Sequence, residues 1–156
     1  MKVELINHTP NPDRSAAHAA LTCYSEEIPK QEDMSEGQIK DILGKIKESG
    51  HYSVIEHAKF TCAIHEVSRS LTHQLVRHRI ASYSQQSQRY VDVEDFDPVI
   101  PDTIKEDEEL ILLYDEFMEN VRKTYEELKK QVPLEDARYV LPNATKSNII
   151  VSMNAR

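Results

Sequence analysis

The sequence predicts an α+β fold: strands and helices mixed within a single domain spanning residues 1–156. Three observations predict it. Several short segments alternate apolar and polar residues with the period of two that a half-buried strand requires. Longer segments repeat apolar residues every three or four positions, the spacing that lines one face of a helix. The length of 156 residues, with 39% hydrophobic and 29% charged, suits one soluble core.

Taken in order, KVELINHT reads as a short strand in which Val3 and Leu5 alternate with polar neighbours. PDRSAAHAALTCYS reads as an alanine-rich helix that begins near Pro12 and Asp13. SEGQIKDILGKIKESG follows. Ser35 and Gln38 stand at capping-box spacing, Ile39, Ile42, Leu43 and Ile46 form an apolar stripe, and Gly50 supplies the stop. HAKFTCAIHEV alternates again, with Ala58, Phe60, Cys62 and Ile64 on one face. From Ser68 the period becomes helical: Val67, Leu71 and Leu75 recur on one side, and Arg69, His73 and Arg77 share another face of the same expected helix.

Asp92 to Thr103 is acidic, contains Pro98 and Pro101, and reads as a loop. A long helix is then expected from about Lys105 to Gln131, with Leu110, Leu113, Tyr114, Phe117, Val121 and Leu128 as its apolar stripe. Acids open it and lysines close it, as the helix dipole prefers, and its charges read as a solvated face. Pro133 starts a short helix in PLEDARYVL, and NIIVSM reads as a final strand.

The formal net charge is −8. Such an acidic surface disfavours broad binding to nucleic acid or anionic membranes, and no apolar run reaches the roughly 20 residues of a membrane span. The first residues lack the basic start and apolar run of a signal peptide, so a cytoplasmic protein is expected. Cys23 and Cys62 stand far apart, which disfavours a disulfide framework or zinc ribbon. His51, Glu56 and His57 lack a common metal-ligand spacing, and no metal site is expected.

Against this background, Val67 to Val91 contains no Asp or Glu, where a stretch of that length would hold about four. It carries Arg69, His73, Arg77, His78, Arg79 and Arg89 instead. Guanidinium forks pair with phosphate oxygens, and serine hydroxyls complete such a site. Gln74, Gln85 and Gln86 can both donate and accept, which suits a pyrimidine edge. The combination points to a nucleotide. A structural network joining subunits would use the same residue types, and Ser87 as a nucleophile has no His or Asp tied to it by sequence.

The order of residues adds more. RHRIASYSQQSQRY resembles the signature R-H-R-x-x-S-x-x-x-x-S-x-R-Y of the flavin-dependent thymidylate synthases, with every fixed position matched by Arg77, His78, Arg79, Ser82, Ser87, Arg89 and Tyr90. GHYSVIEH resembles the family's G-H-x-S-x-x-E-H, QLVRHR carries its glutamine three residues before the first arginine, EDARYVLP resembles E-x-A-R-x-x-L-P, and NAR matches N-x-R. The likeness runs through nearly the whole chain in the right order.

The resemblance implies a fold with a central, mostly antiparallel sheet packed with helices, and a homotetramer with composite active sites. It implies FAD as cofactor, dUMP as substrate, methylenetetrahydrofolate as carbon donor and NADPH as reductant. By the match, FAD is contacted by Ser53 of another subunit, Arg77, His78, Arg79, Gln85 and Asn154, Ala155 and Arg156. dUMP is surrounded by Gln74, Arg77, Gln85, Gln86, Ser87, Gln88, Arg89 and Arg138, with Arg77, Arg89 and Ser87 placed at the chemistry. Many relatives carry Glu at the position of Gln85; the amide keeps the hydrogen bonding and drops the charge. The family pattern continues past N-x-R with a further helix and an arginine that activates the uracil ring. The expectation is therefore that this chain is short relative to the family, with the alternative of a catalytically impaired fragment that binds FAD and dUMP.

Overall fold

The computed structural model describes residues 1–93 and 97–156. Among the described residues, four strands are formed: β1 (Lys2–His8), β2 (Lys59–Ser68), β3 (Ala81–Gln85) and β4 (Lys146–Asn154). They make one antiparallel sheet in the order β1-β2-β4-β3. Six α-helices accompany them among the described residues: α1 (Pro12–Thr22), α2 (Glu36–Ser49), α3 (Arg69–Leu75), α4 (Asp102–Lys105), α5 (Glu108–Leu128) and α6 (Leu134–Ala137). Short 3₁₀ turns occupy Gln31–Asp33, Tyr52–His57 and Arg138–Val140. Of the expected loop over Asp92–Thr103, positions 94–96 lie outside the described residues.

The chain divides into two compact units, and the strands contribute residues to both. One unit comprises Met1–Val3, Ile64–Arg79 and Tyr83–Ile150; the other comprises Glu4–Ala63, Ile80–Ser82 and Val151–Arg156.

In the second of these, α1 packs against α2 and the Tyr52–His57 turn. Its apolar centre is Ala17, Met34 and Ile39, joined by Leu21, Ile42 and Leu43. The capping box of α2 is formed as the sequence predicts: Ser35 Oγ accepts from the Gln38 amide, and the Gln38 side chain accepts from the Ser35 amide at 2.9 Å. Gly50 closes the helix at φ 72°, a left-handed conformation with little penalty for glycine. The long connection between the two helices is tied down by α1. Arg14 donates to the carbonyls of Gln31 and Met34 and to Glu36, and His18 Nε2 bonds the Pro29 carbonyl.

The other unit is built on α5. Its buried line is Met118, Val121 and Tyr125, extended by half-buried Ile111, Tyr114 and Leu128 at alternating spacings of three and four. This corrects the stripe expected from sequence. Leu110, Leu113 and Phe117 are exposed, because the face that packs is turned one residue further along the chain in the N-terminal half. Asp107 caps α5, its Oδ1 accepting from the amides of Glu109 and Leu110.

Three further departures bear on the site. The expected helix through Arg77 ends at Leu75, since Arg77 and His78 make only short-range turn bonds to the carbonyls of Gln74 and Leu75. The buried residue of α3 is Thr72, not Leu71. Finally, β2 lacks the one-sided burial expected of it: residues 60–65 are all half-buried, and Glu66 adopts φ 54° just before the buried Val67. This is a bulge, and the Glu66 amide that leaves the ladder donates to Asn148 Oδ1 at 3.0 Å.

Candidate functional site

The signature segment lies after α3. Arg77, His78 and Arg79 form an exposed turn, followed by β3 as a short edge strand. Tyr83 fixes the junction: its Oη lies 2.9 Å from the Leu75 carbonyl and 2.8 Å from that of His78. The helix end is thereby satisfied by a side chain from the strand it leads to.

Strand alternation sends Gln85 and Gln86 to opposite faces. Gln85 Nε2 donates to Thr72 Oγ1 at 2.8 Å and to Ser147 Oγ at 3.1 Å. Thr72 Oγ1 donates to the Arg69 carbonyl, so it meets Gln85 as an acceptor and fixes which end of the amide points inward. Both hydroxyls are buried, and the Gln85 carbonyl oxygen is left as an acceptor. On the other face, Gln86 Oε1 accepts from the Asn148 amide and from Asn148 Nδ2, leaving its own NH₂ as a donor.

Next comes a tight turn. The Ser87 carbonyl accepts from the amides of Tyr90 and Val91, and Ser87 Oγ accepts from the Arg89 amide at 3.2 Å. The Arg89 guanidinium lies 5.3 Å from the centre of the Tyr90 ring. Behind the turn is a cavity of about 240 Å³, lined by Gln86, Ser87, Gln88, Asp92, Ser147 and Asn148 among others. Among the described residues, neither a histidine nor a carboxylate hydrogen-bonds Ser87. The hydroxyl shapes the turn, and Ser87 lines the cavity.

The charges are the main electrostatic fact. Among the described residues, Arg77, Arg79 and Arg89 have no carboxylate partner, although the chain carries 27 acids. Arg122 and Arg156, by contrast, pair with Glu119 and Glu56. Partial burial, with the Arg138 charge adding to it, lowers the pKa of Arg69, so two guanidiniums here repel each other. Arg138 Nε donates to the Glu135 carbonyl; among the described residues no hydrogen bond joins it to the signature segment.

In the unit of α1 and α2, two other motifs of the sequence meet. Arg156 pairs with Glu56 at 2.6 Å, the Ala155 amide donates to the Ala58 carbonyl, and Asn154 Oδ1 accepts from the Arg156 amide. Ser53, exposed on the Tyr52–His57 turn, opens on a cavity of about 510 Å³ with His51, Leu21, Tyr24, Ile42 and Ile46 in its walls. Among the described residues, no group of three or more His, Cys, Asp or Glu is placed to hold a metal ion. No helix among them is long and apolar enough to cross a membrane.

Sequence reasoning missed the polar partners of this site: Thr72, Ser147, Asn148 and Asp92. None carries a motif of its own. The readable signal was an unusual one, hydroxyl residues at inward positions of a helix and a strand, Thr72 and Ser147.

Comparison with known proteins agrees with the motifs. The family model described as thymidylate synthase complementing protein matches residues 4–156. The flavin-dependent thymidylate synthase of Clostridium tetani is 45% identical over 177 aligned positions, covering 100% of this chain and 70% of its own length. Those of Geobacter sulfurreducens and Pyrococcus abyssi are 45% and 44% identical over 163 positions, with 69% and 67% of their lengths covered. The crystal structure of thymidylate synthase X from Helicobacter pylori with FAD and dUMP superimposes with a TM-score of 0.74 at 25% identity, covering 99% of this chain and 79% of that one. By family model, whole-chain identity and fold, the chain belongs to the flavin-dependent thymidylate synthases.

Proposed function

We propose that this chain is a transferase that converts dUMP to dTMP, with FAD as cofactor, methylenetetrahydrofolate as carbon donor and NADPH as reductant. One observation carries the reading: an acid-free signature segment whose three exposed guanidiniums, Arg77, Arg79 and Arg89, lack carboxylate partners among the described residues of an acidic chain. Such a cluster suits the phosphates of a nucleotide and of FAD. The Helicobacter pylori neighbour, solved with FAD and dUMP, supports the same pair of ligands.

In this reading Gln74, Arg77, Gln85, Gln86, Ser87, Gln88, Arg89 and Arg138 hold dUMP. The Gln85 carbonyl accepts and the Gln86 NH₂ donates, neither being hydrogen-bonded among the described residues. Arg77 and Arg89 stabilise negative charge as the uracil ring is activated, and Ser87 keeps the Arg89 turn in shape. Arg77, His78, Arg79 and Gln85, with Asn154, Ala155 and Arg156 and with Ser53 of another subunit, would hold FAD; Arg77 and Arg79, without carboxylate partners among the described residues, and an apolar-walled cavity at Ser53 fit an anionic, aromatic cofactor. When bound, FAD supplies the hydride that completes the methyl group. The chain acts as a single domain, in the cytoplasm, as a homotetramer whose subunits share sites.

A visible spectrum of the purified protein after addition of FAD and dialysis tests the cofactor. Retained flavin absorbance that shifts with dUMP is expected. No retained flavin, with ligand binding lost to a chelator, refutes the reading. Tritium release from 5-labelled dUMP and dTMP formation then separate a working synthase from a fragment that binds without turnover. Light scattering tests assembly: a stable monomer that binds FAD normally rules out shared sites.

A further inference from the structure

We propose that Tyr125 and Lys129 are positioning residues for the Ser87–Arg89 turn, acting through Asp92. The inference rests on the dUMP site proposed above and adds to it Tyr125 of α5 and Lys129, the residue that caps the C-terminus of that helix, neither of which a motif marks.

The turn is shaped by its own bonds, from the amides of Arg89, Tyr90 and Val91 to Ser87. Those bonds fix its form but not its direction, which depends on what holds its two ends. Upstream, the Gln86 amide donates to the Asn148 carbonyl at 2.9 Å, and the two side chains pair as well. Downstream, the anchor is α5. Tyr125 Oη donates to Asp92 Oδ1 at 2.9 Å and accepts from the Val93 amide at 3.4 Å. Lys129 Nζ binds the other carboxylate oxygen, Oδ2, at 2.8 Å, and Glu126 at 2.9 Å. Its ammonium also lies 5.7 Å from the centre of the Tyr125 ring.

This clamp is built to hold position. Tyr125 is fully buried, so its hydroxyl sits at the end of a ring that cannot swing. Both oxygens of Asp92 are engaged, one by a residue of α5 and the other by the residue that caps it, and Asp92 follows Arg89 by three residues. A phenylalanine at 125 would fill the core as well. Partly buried ion pairs seldom improve on apolar packing for stability, so the gain from this cluster is a fixed location for the chain. The clamp keeps the Arg89 guanidinium and the Ser87 hydroxyl aimed at one place, and a displacement of about 1 Å at such a group weakens a nucleotide contact.

The test measures dUMP and FAD affinity separately, by calorimetry on the full chain, for wild type, Arg89→Ala, Tyr125→Phe, Lys129→Met and Lys129→Arg. Tyr125→Phe and Lys129→Met are expected to weaken dUMP binding by roughly three- to tenfold, leaving FAD affinity within about twofold. Lys129→Arg keeps the charge and should restore most of the dUMP affinity. If Arg89→Ala weakens dUMP binding but neither Tyr125→Phe nor Lys129→Met does, the site stands and the clamp is refuted. A parallel fall in dUMP and FAD affinity, with loss of folded protein by circular dichroism, also refutes it, because the role is then structural. If Arg89→Ala itself leaves dUMP affinity unchanged, the proposed site fails, and the clamp with it.

Discussion

Replacing Arg89 by alanine separates binding from folding more cleanly than any other change in this chain. The guanidinium is exposed and has no carboxylate partner among the described residues; it stacks over Tyr90 at 5.3 Å. Losing an exposed cation–π contact costs about 0.5–1 kcal/mol. The turn itself survives, since the bond from residue 89 to Ser87 Oγ uses the backbone amide. Stability should therefore change little. Binding should change much more: a charge-assisted bond to the nucleotide contributes about 1.5–3 kcal/mol, or roughly a 10- to 150-fold change in Kd. Arg89→Lys should recover only part, because an ammonium offers a point charge where the guanidinium offers a fork. Calorimetric titration with dUMP at two ionic strengths provides the assay, and the salt dependence should be shallower in the alanine variant. Equal dUMP affinity in wild type and Arg89→Ala, with both folded, would remove Arg89 from the site.

Other outcomes follow from the same structure. Gln85→Leu strips the donor from the buried hydroxyls of Thr72 and Ser147 and should cost about 1–3 kcal/mol in urea unfolding; an unchanged midpoint would mean that the hydroxyls find other partners. Glu66→Gly should stabilise by roughly 0.5–1 kcal/mol, the relief of a left-handed backbone exceeding the extra chain entropy of glycine, and a loss of that size would refute the strain. The Asp92 carboxyl is pushed up by burial, but hydrogen bonds from Lys129 and Tyr125 outweigh this and leave it below its ordinary value. A carboxyl depressed in the folded state adds stability above its unfolded pKa of about 3.9, and loses it as pH falls through the folded value. Asp92→Asn should therefore flatten the fall of the urea midpoint as pH drops below about 4 relative to wild type, and parallel curves would contradict the assignment.

Much of this molecule can be read from local sequence, where the physics is local. The Ser35–Gln38 capping box, the Gly50 stop and the Pro12 start all depend on residues within four positions of one another, and all appear as expected. Even the β2 bulge has a trace in the sequence, because the apolar series steps from Ile64 to Val67 and not to residue 66. The signature arginines were legible for a different reason: an acid-free window in an acidic chain is a one-dimensional property.

What tertiary structure decided is which faces are covered and which polar groups find one another. The stripe on α5 could be drawn through Leu110, Leu113 and Phe117 or through Ile111, Tyr114 and Met118. Both have helical spacing, and only the neighbouring elements select the second. The helix before the signature could run through Arg77 until Tyr83, from the next strand, takes up the carbonyls of Leu75 and His78. The lysine near the end of α5 reads as a dipole partner on a solvated face, yet Lys129 is turned onto Asp92, 37 residues away in sequence. Hydrogen bonds between residues so far apart are set by the path of the backbone, and no spacing along the chain encodes them. The sequence alone therefore determined the residue types of the proposed anion site, and the fold determined how its amides are oriented and its turn is held.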